Sequence, residues 1–114
     1  MEMSRANFEA LVSQALDEIP EELAAFIENV AVFVEDIGVS HNILGLYQGV
    51  PLTSREHYGL GGGMPDRITI YRLPITDRCA TEADVVDMVR VTVVHEVGHH
   101  FGLSDTRLRE LGYG

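Results

Sequence analysis

Two histidines four residues apart, a glutamate directly after the first and an aspartate six residues beyond the second stand together in VVHEVGHHFGLSD, residues 93–105. On an α-helix a four-residue step advances by about 400°, so His95 and His99 lie within about 40° of each other and one turn apart. Both imidazoles can then reach one ion. Zinc accepts neutral imidazole at about 2.0–2.1 Å, and catalytic zinc sites usually take three protein ligands and leave a further position for water. The third ligand must come from beyond the helix. Gly102 can adopt the left-handed conformation that turns a chain at a helix end, which lets Asp105 fold back toward the histidines in the pattern HExxHxxGxxD. Glu96 sits about 100° round the helix from His95, so it flanks an ion instead of binding it. A carboxylate there can take a proton from water and pass it to a leaving amine.

At this chain's own residue frequencies, HExxH alone would arise by chance about once in fifty such sequences, and adding Gly102 and Asp105 lowers that to about one in ten thousand. The extended pattern is therefore a signal, whereas the short one is only suggestive. Asp105 has a competing role, because Ser104 or Asp105 can cap a last helix through TRLREL. The two roles conflict for one carboxylate unless Ser104 caps and Asp105 binds. His100 points about 100° away from the His95–His99 side, toward the surface or the surroundings of the site. His41 and His57 lie in loops without ligand spacing and read as solvated.

The elements that must position these residues follow from periodicity. Phe8, Leu11, Val12, Ala15 and Leu16 recur at helical spacing from Ser4, an available N-cap, to Leu16. Pro20-Glu21-Glu22 opens a short second helix over 20–28. NVAVFVE (29–35) and ILGLYQG (43–49) read as strands. Residues 51–66 form a long glycine-rich loop without the spacing of a phosphate loop. RITIYRL (67–73) alternates polar and apolar side chains in period two, which implies a half-exposed or edge strand ended by Pro74. Thr81, Glu82 and Asp84 then open the helix that carries the motif, with Val85, Met88, Val89, Thr92 and Val93 on its apolar face. The order describes a small α+β domain with two N-terminal helices, a three- or four-stranded sheet and a C-terminal active-site helix.

One domain over residues 1–114 is the expectation from length. With 8 Lys+Arg against 18 Asp+Glu the formal charge is −10, so nucleic acid is an unsuitable partner. No basic and apolar leader opens the chain, and no apolar run reaches the roughly 18 residues that span a bilayer. The expectation is a cytoplasmic protein without a membrane partner. Cys79 is the one cysteine; it has no disulfide mate and reads as a buried thiol.

HEVGHHFGLSD resembles the zincin metallopeptidases, and Gly102 and Asp105 resemble the extended metzincin motif in its variant with aspartate as third ligand. ILGLYQGVPLT and PDRITIY, together with that motif, are similar to the small bacterial zincin-like or minimal metalloprotease family over residues 20–114. The resemblance implies one zinc ion on His95, His99 and Asp105, Glu96 as general base, and hydrolysis of a peptide or flexible protein segment. It also implies an edge strand above the motif helix that receives extended peptide; RITIYRL is the expected one, with Tyr71 and Arg72 near the substrate path. Tyr47, Tyr58 and Tyr113 can donate to a reaction oxyanion, although packing or exposure is the commoner role of each. The chain departs from metzincins after Asp105, where nine residues follow and none is the methionine of a Met-turn. The expectation beside that resemblance is a fold without the C-terminal subdomain that walls the far side of a zincin cleft. Aspartate in place of a neutral histidine makes the site less positive, which acidifies water less and leaves more of the work to Glu96. Slow or restricted hydrolysis is the expectation. A metal-binding interaction module and an inactive zincin-like scaffold are the alternatives, and retention of Glu96 favours the enzyme over the scaffold.

Overall fold

Ser4 and Thr81 open the two longest helices, each with its hydroxyl accepting a backbone N–H three residues on. In the computed structural model, which describes residues 1–49 and 66–112, α1 (Arg5–Asp17) buries Phe8, Val12 and Ala15. After Pro20, α2 (Glu21–Ala24) runs for one turn and tightens into a 3-10 turn, Ala25–Ile27. Three strands come next: β1 (Val30–Glu35), β2 (Gly45–Gln48) and β3 (Asp66–Tyr71). The short α3 (Arg72–Thr76), the long α4 (Glu82–His100) and α5 (Asp105–Glu110) complete the chain. The α+β class holds, as a single domain with a three-stranded sheet. The expected loop 51–66, apart from Asp66, lies outside the described residues, and so do His57, Tyr58 and Tyr113. Among the described residues no helix is long and apolar enough to cross a membrane.

The strand order is β1-β3-β2, with β1 parallel and β2 antiparallel to β3. RITIYRL is therefore not an edge strand: β3 is central, and the strand gives way to α3 at Arg72, so Pro74 lies in a helix instead of ending a strand. The period-two pattern misled because Thr69 and Tyr71, polar by composition, are buried as well as Ile68 and Ile70. Tyr71 lies against Gly38, where an added Cβ would meet its ring at 2.7 Å. Arg72 donates to Asp36 Oδ1 at 3.0 Å and to the Met3 carbonyl at 2.6 Å. Both residues hold the fold together, and the expected place for them beside a substrate path is corrected.

The long helix is a poor helix former by composition, since seven of the 19 residues in α4 are valine, and β-branched side chains lose rotamer freedom against the preceding turn. Packing and capping compensate. Val85, Val89 and Val93 are fully buried and Val97 nearly so, a stripe at four-residue spacing in which each side chain contributes about 1.5–3 kcal/mol. At the N-terminus Thr81 and Asp84 form a reciprocal capping box, with 3.1 Å bonds in both directions. The Asp84 carboxylate also accepts from Ala80 N, and these backbone and hydroxyl donors hold its pKa below the ordinary value. A Cβ on Gly45 would come within 2.9 Å of Thr92 Cγ2, so glycine lets β2 lie close along α4.

Candidate metal centre

The one-turn spacing of His95 and His99 on α4 places their ring centroids 4.3 Å apart. The turn after the helix decides whether a third group reaches them. Phe101 is the C-cap and Gly102 has φ +86°, the left-handed turn that favours glycine. Leu103 N donates to Gly98 O at 2.8 Å and Gly102 N to His99 O at 3.1 Å, which is the paired bonding of a Schellman C-terminus. The chain thus doubles back beside the histidines. Ser104 then caps α5, its Oγ accepting from Arg107 N at 3.1 Å, so Asp105 is not needed as a cap. Asp105 Oδ1 lies 2.7 Å from His99 Nε2 and 3.5 Å from His95 Nε2.

One ligand atom from each of His95, His99 and Asp105 lies within 4.8 Å of the other two. Ligands of a tetrahedral zinc at about 2.0–2.1 Å stand roughly 3.3 Å from one another. The three groups fit such an ion after small side-chain rotations. The hydrogen bond from His99 holds the Asp105 carboxyl below the usual carboxylate range; partial desolvation opposes this, and the charges of His99, His95 and Arg109 reinforce it. An anionic carboxylate facing two imidazoles, all partly exposed, is a donor set suited to a borderline cation such as zinc.

Glu96 is half-buried on the same helix, and its carboxylate makes no hydrogen bond or ion pair among the described residues. His100 turns the other way. Its ring stacks on Tyr47 at 4.0 Å, and its Nε2 lies 3.8 Å from Asp66 Oδ2, which accepts from Tyr47 Oη at 2.6 Å. The network exists because Tyr47 pairs with Ile68 across the sheet, which puts Asp66, two residues back on β3, within reach on the same face. Tyr47 is thus engaged with Asp66. His41 sits far from the motif, paired with Asp77 at 2.7 Å. Asp66 escaped the sequence reading, since nothing in PDRITIY distinguishes it from a turn residue. Gly98 did carry a signal, because glycine inside a helix needs a packing reason.

The family model described as zincin-like metallopeptidase matches residues 27–114. A solved structure of a conserved hypothetical protein from T. thermophilus is similar at 24% identity and a TM-score of 0.53, covering 86% of this chain and 94% of that one. That likeness is one of fold. No curated protein matches the chain. Because the family match runs from the end of the 3-10 turn after α2 through the sheet and the motif helix to the turn that carries Asp105, the chain belongs to the zincin-like metallopeptidase family.

Proposed function

We propose that the chain is a zinc-dependent peptidase, in which His95, His99 and Asp105 hold one ion and Glu96 is the general base. The observation that carries this reading is the convergence of Asp105 on both histidines, with Ser104 capping α5 in its stead. Zinc at such a site supplies Lewis acidity, lowering the pKa of water to about 7 and polarising a carbonyl. Glu96 takes a proton from the attacking water as the new C–O bond forms, and delivers it to the amine nitrogen as the C–N bond breaks. Its uncommitted carboxylate supports that role. The negative charge of Asp105 makes the site less electrophilic than one built from three histidines, so turnover is slow and depends strongly on Glu96. The substrate is an extended peptide or flexible segment. It pairs with β2, an edge strand among the described residues, which Gly45 and Gly49 bring against Thr92 and His100 of α4.

The test is metal analysis of the purified chain after zinc supply, followed by digestion of a peptide library with wild type and Glu96→Gln. One zinc per chain is expected, with cleavage by the wild type only and a loss of about 10²–10⁴-fold in Glu96→Gln. The variant should keep its metal. Stoichiometric zinc without cleavage of any peptide would favour a metal-binding module, and no zinc uptake at all would overturn both readings.

A further inference from the structure

Gly98 stands between the two histidines of the motif, and it is tied twice to the segment that carries Asp105. Its carbonyl accepts from Leu103 N at 2.8 Å. Its missing side chain makes room for the segment's apolar anchors, because an added Cβ would lie 2.9 Å from Leu108 Cδ2 and 3.4 Å from Leu103 Cδ1. Leu108 is fully buried, so its methyl groups have nowhere free to move. It also lies three residues after Asp105, one turn along the same six-residue helix. Asp105 itself has a side chain 66% exposed and meets His99 Nε2 at 2.7 Å, so its reach to the histidines depends on where the backbone of α5 stands. The position of the carboxylate is therefore set by Leu108 seated in the gap over Gly98.

We infer that Gly98 is the positioning residue for the third ligand: its lack of a side chain seats Leu108, and Leu108 sets where the Asp105 carboxylate meets His95 and His99. The inference rests on the proposed metal site and adds to it a residue that touches no ion. A Cβ at position 98 must shift the tip of Leu108, which is fully buried and so passes part of that shift on to α5. Metal–ligand distances hold to within about 0.2 Å, so a displacement of a few tenths of an ångström is enough to spoil the third ligand. Local helix propensity works in the opposite direction, since alanine forms helix better than glycine. Metal affinity and intrinsic helix stability should therefore part company in Gly98→Ala.

The experiment measures zinc affinity by competition with a chromophoric chelator, using the full metal-free chain. Wild type, Gly98→Ala, Asp105→Ala and the double variant are compared, with the thermal midpoint of each metal-free protein. Gly98→Ala is expected to bind zinc about 10–100-fold more weakly, as loss of a ligand's supporting partner does. In the Asp105→Ala background the same change should cost no further affinity, because Gly98 acts through Asp105. A general packing role would still lower affinity in that background, and this result overturns the inference, as does wild-type affinity in Gly98→Ala. If Gly98→Ala does not fold, Leu108→Val withdraws the same contact from the other side: weaker zinc binding supports the inference and unchanged affinity overturns it. A wild type that takes up no zinc refutes the metal reading itself, whereas a zinc-binding wild type with an equally tight Asp105→Ala refutes only the role of Asp105 and, with it, that of Gly98.

Discussion

Ser104 and Asp105 divide two tasks between neighbouring side chains: the Ser104 hydroxyl accepts from Arg107 N at 3.1 Å, while Asp105 Oδ1 faces His99 Nε2 at 2.7 Å. The two residues should separate cleanly by mutation. Ser104→Ala removes a cap and is expected to cost about 1 kcal/mol of stability, with zinc still bound. Asp105→Ala should leave the helix capped and lose most of the zinc affinity. Thermal melts with and without zinc distinguish the two. Free zinc at about a hundred times its dissociation constant should stabilise the wild type by about 2.7 kcal/mol and Asp105→Ala by much less. Equal stabilisation of both would remove Asp105 from the site.

The grouping of His95, His99 and Asp105 was legible in the sequence because it is local. Helical spacing places His95 over His99, and a glycine at 102 announces the turn that returns the chain. The edge strand was misread for a non-local reason. Whether Thr69 and Tyr71 face water depends on what crosses them, and Tyr71 is covered by the segment at Gly38, more than thirty residues earlier. The parallel pairing of β1 with β3 joins residues 36 apart, such as Val30 and Asp66, and no short-range pattern records it. Leu108 was equally hidden. Its spacing shows an apolar residue on a short helix, but only the fold shows that it fills the space over Gly98.

The capping box at the head of α4 gives a pH-dependent contribution whose sign is set by Asp84. Its carboxyl is held below the ordinary value of 3.8 by hydrogen bonds from Ala80 N, the Thr81 hydroxyl pairing and Thr81 N. A depressed folded pKa means stability that is fully present above the unfolded value and is lost as pH falls through the folded one. Asp84→Asn should therefore be less stable than wild type at neutral pH, and the gap should close at acid pH, below 3.8. Thr81→Ala is expected to cost about 1 kcal/mol. Urea melts of the three proteins from neutral to acid pH test this, and a gap for Asp84→Asn that widens on acidification would contradict it.

Cys79 should be a quiet thiol. It is 7% exposed, and burial pushes its pKa up, with the Asp84 charge acting in the same direction and the N-terminal ammonium opposing both. Because the thiolate is the reactive form, native protein should alkylate with iodoacetamide about tenfold or more slowly than the same protein unfolded in urea. Mass spectrometry of timed samples at mildly alkaline pH reads the difference. Equal rates in the two states would mean that the core around Cys79 opens readily.

Tyr47, Asp66 and His100 fasten the edge strand β2 and the start of β3 to the end of the motif helix, through the 2.6 Å bond from Tyr47 Oη and the 4.0 Å ring stack. His100 neighbours a metal-binding candidate in sequence, yet it points away from the group formed by His95, His99 and Asp105. Its network should therefore matter for stability and not for the ion. Tyr47→Phe keeps the stack and deletes the hydroxyl, and it is expected to cost about 0.5–1.5 kcal/mol in urea unfolding with zinc affinity unchanged. Asp66→Ala removes the acceptor of the Tyr47 hydroxyl together with the carboxylate 3.8 Å from His100 and should cost more. Zinc titration of Tyr47→Phe decides between the two possibilities: affinity that falls with stability would place the Tyr47 network in the support of the metal site, and unchanged affinity confines it to holding β2 against α4.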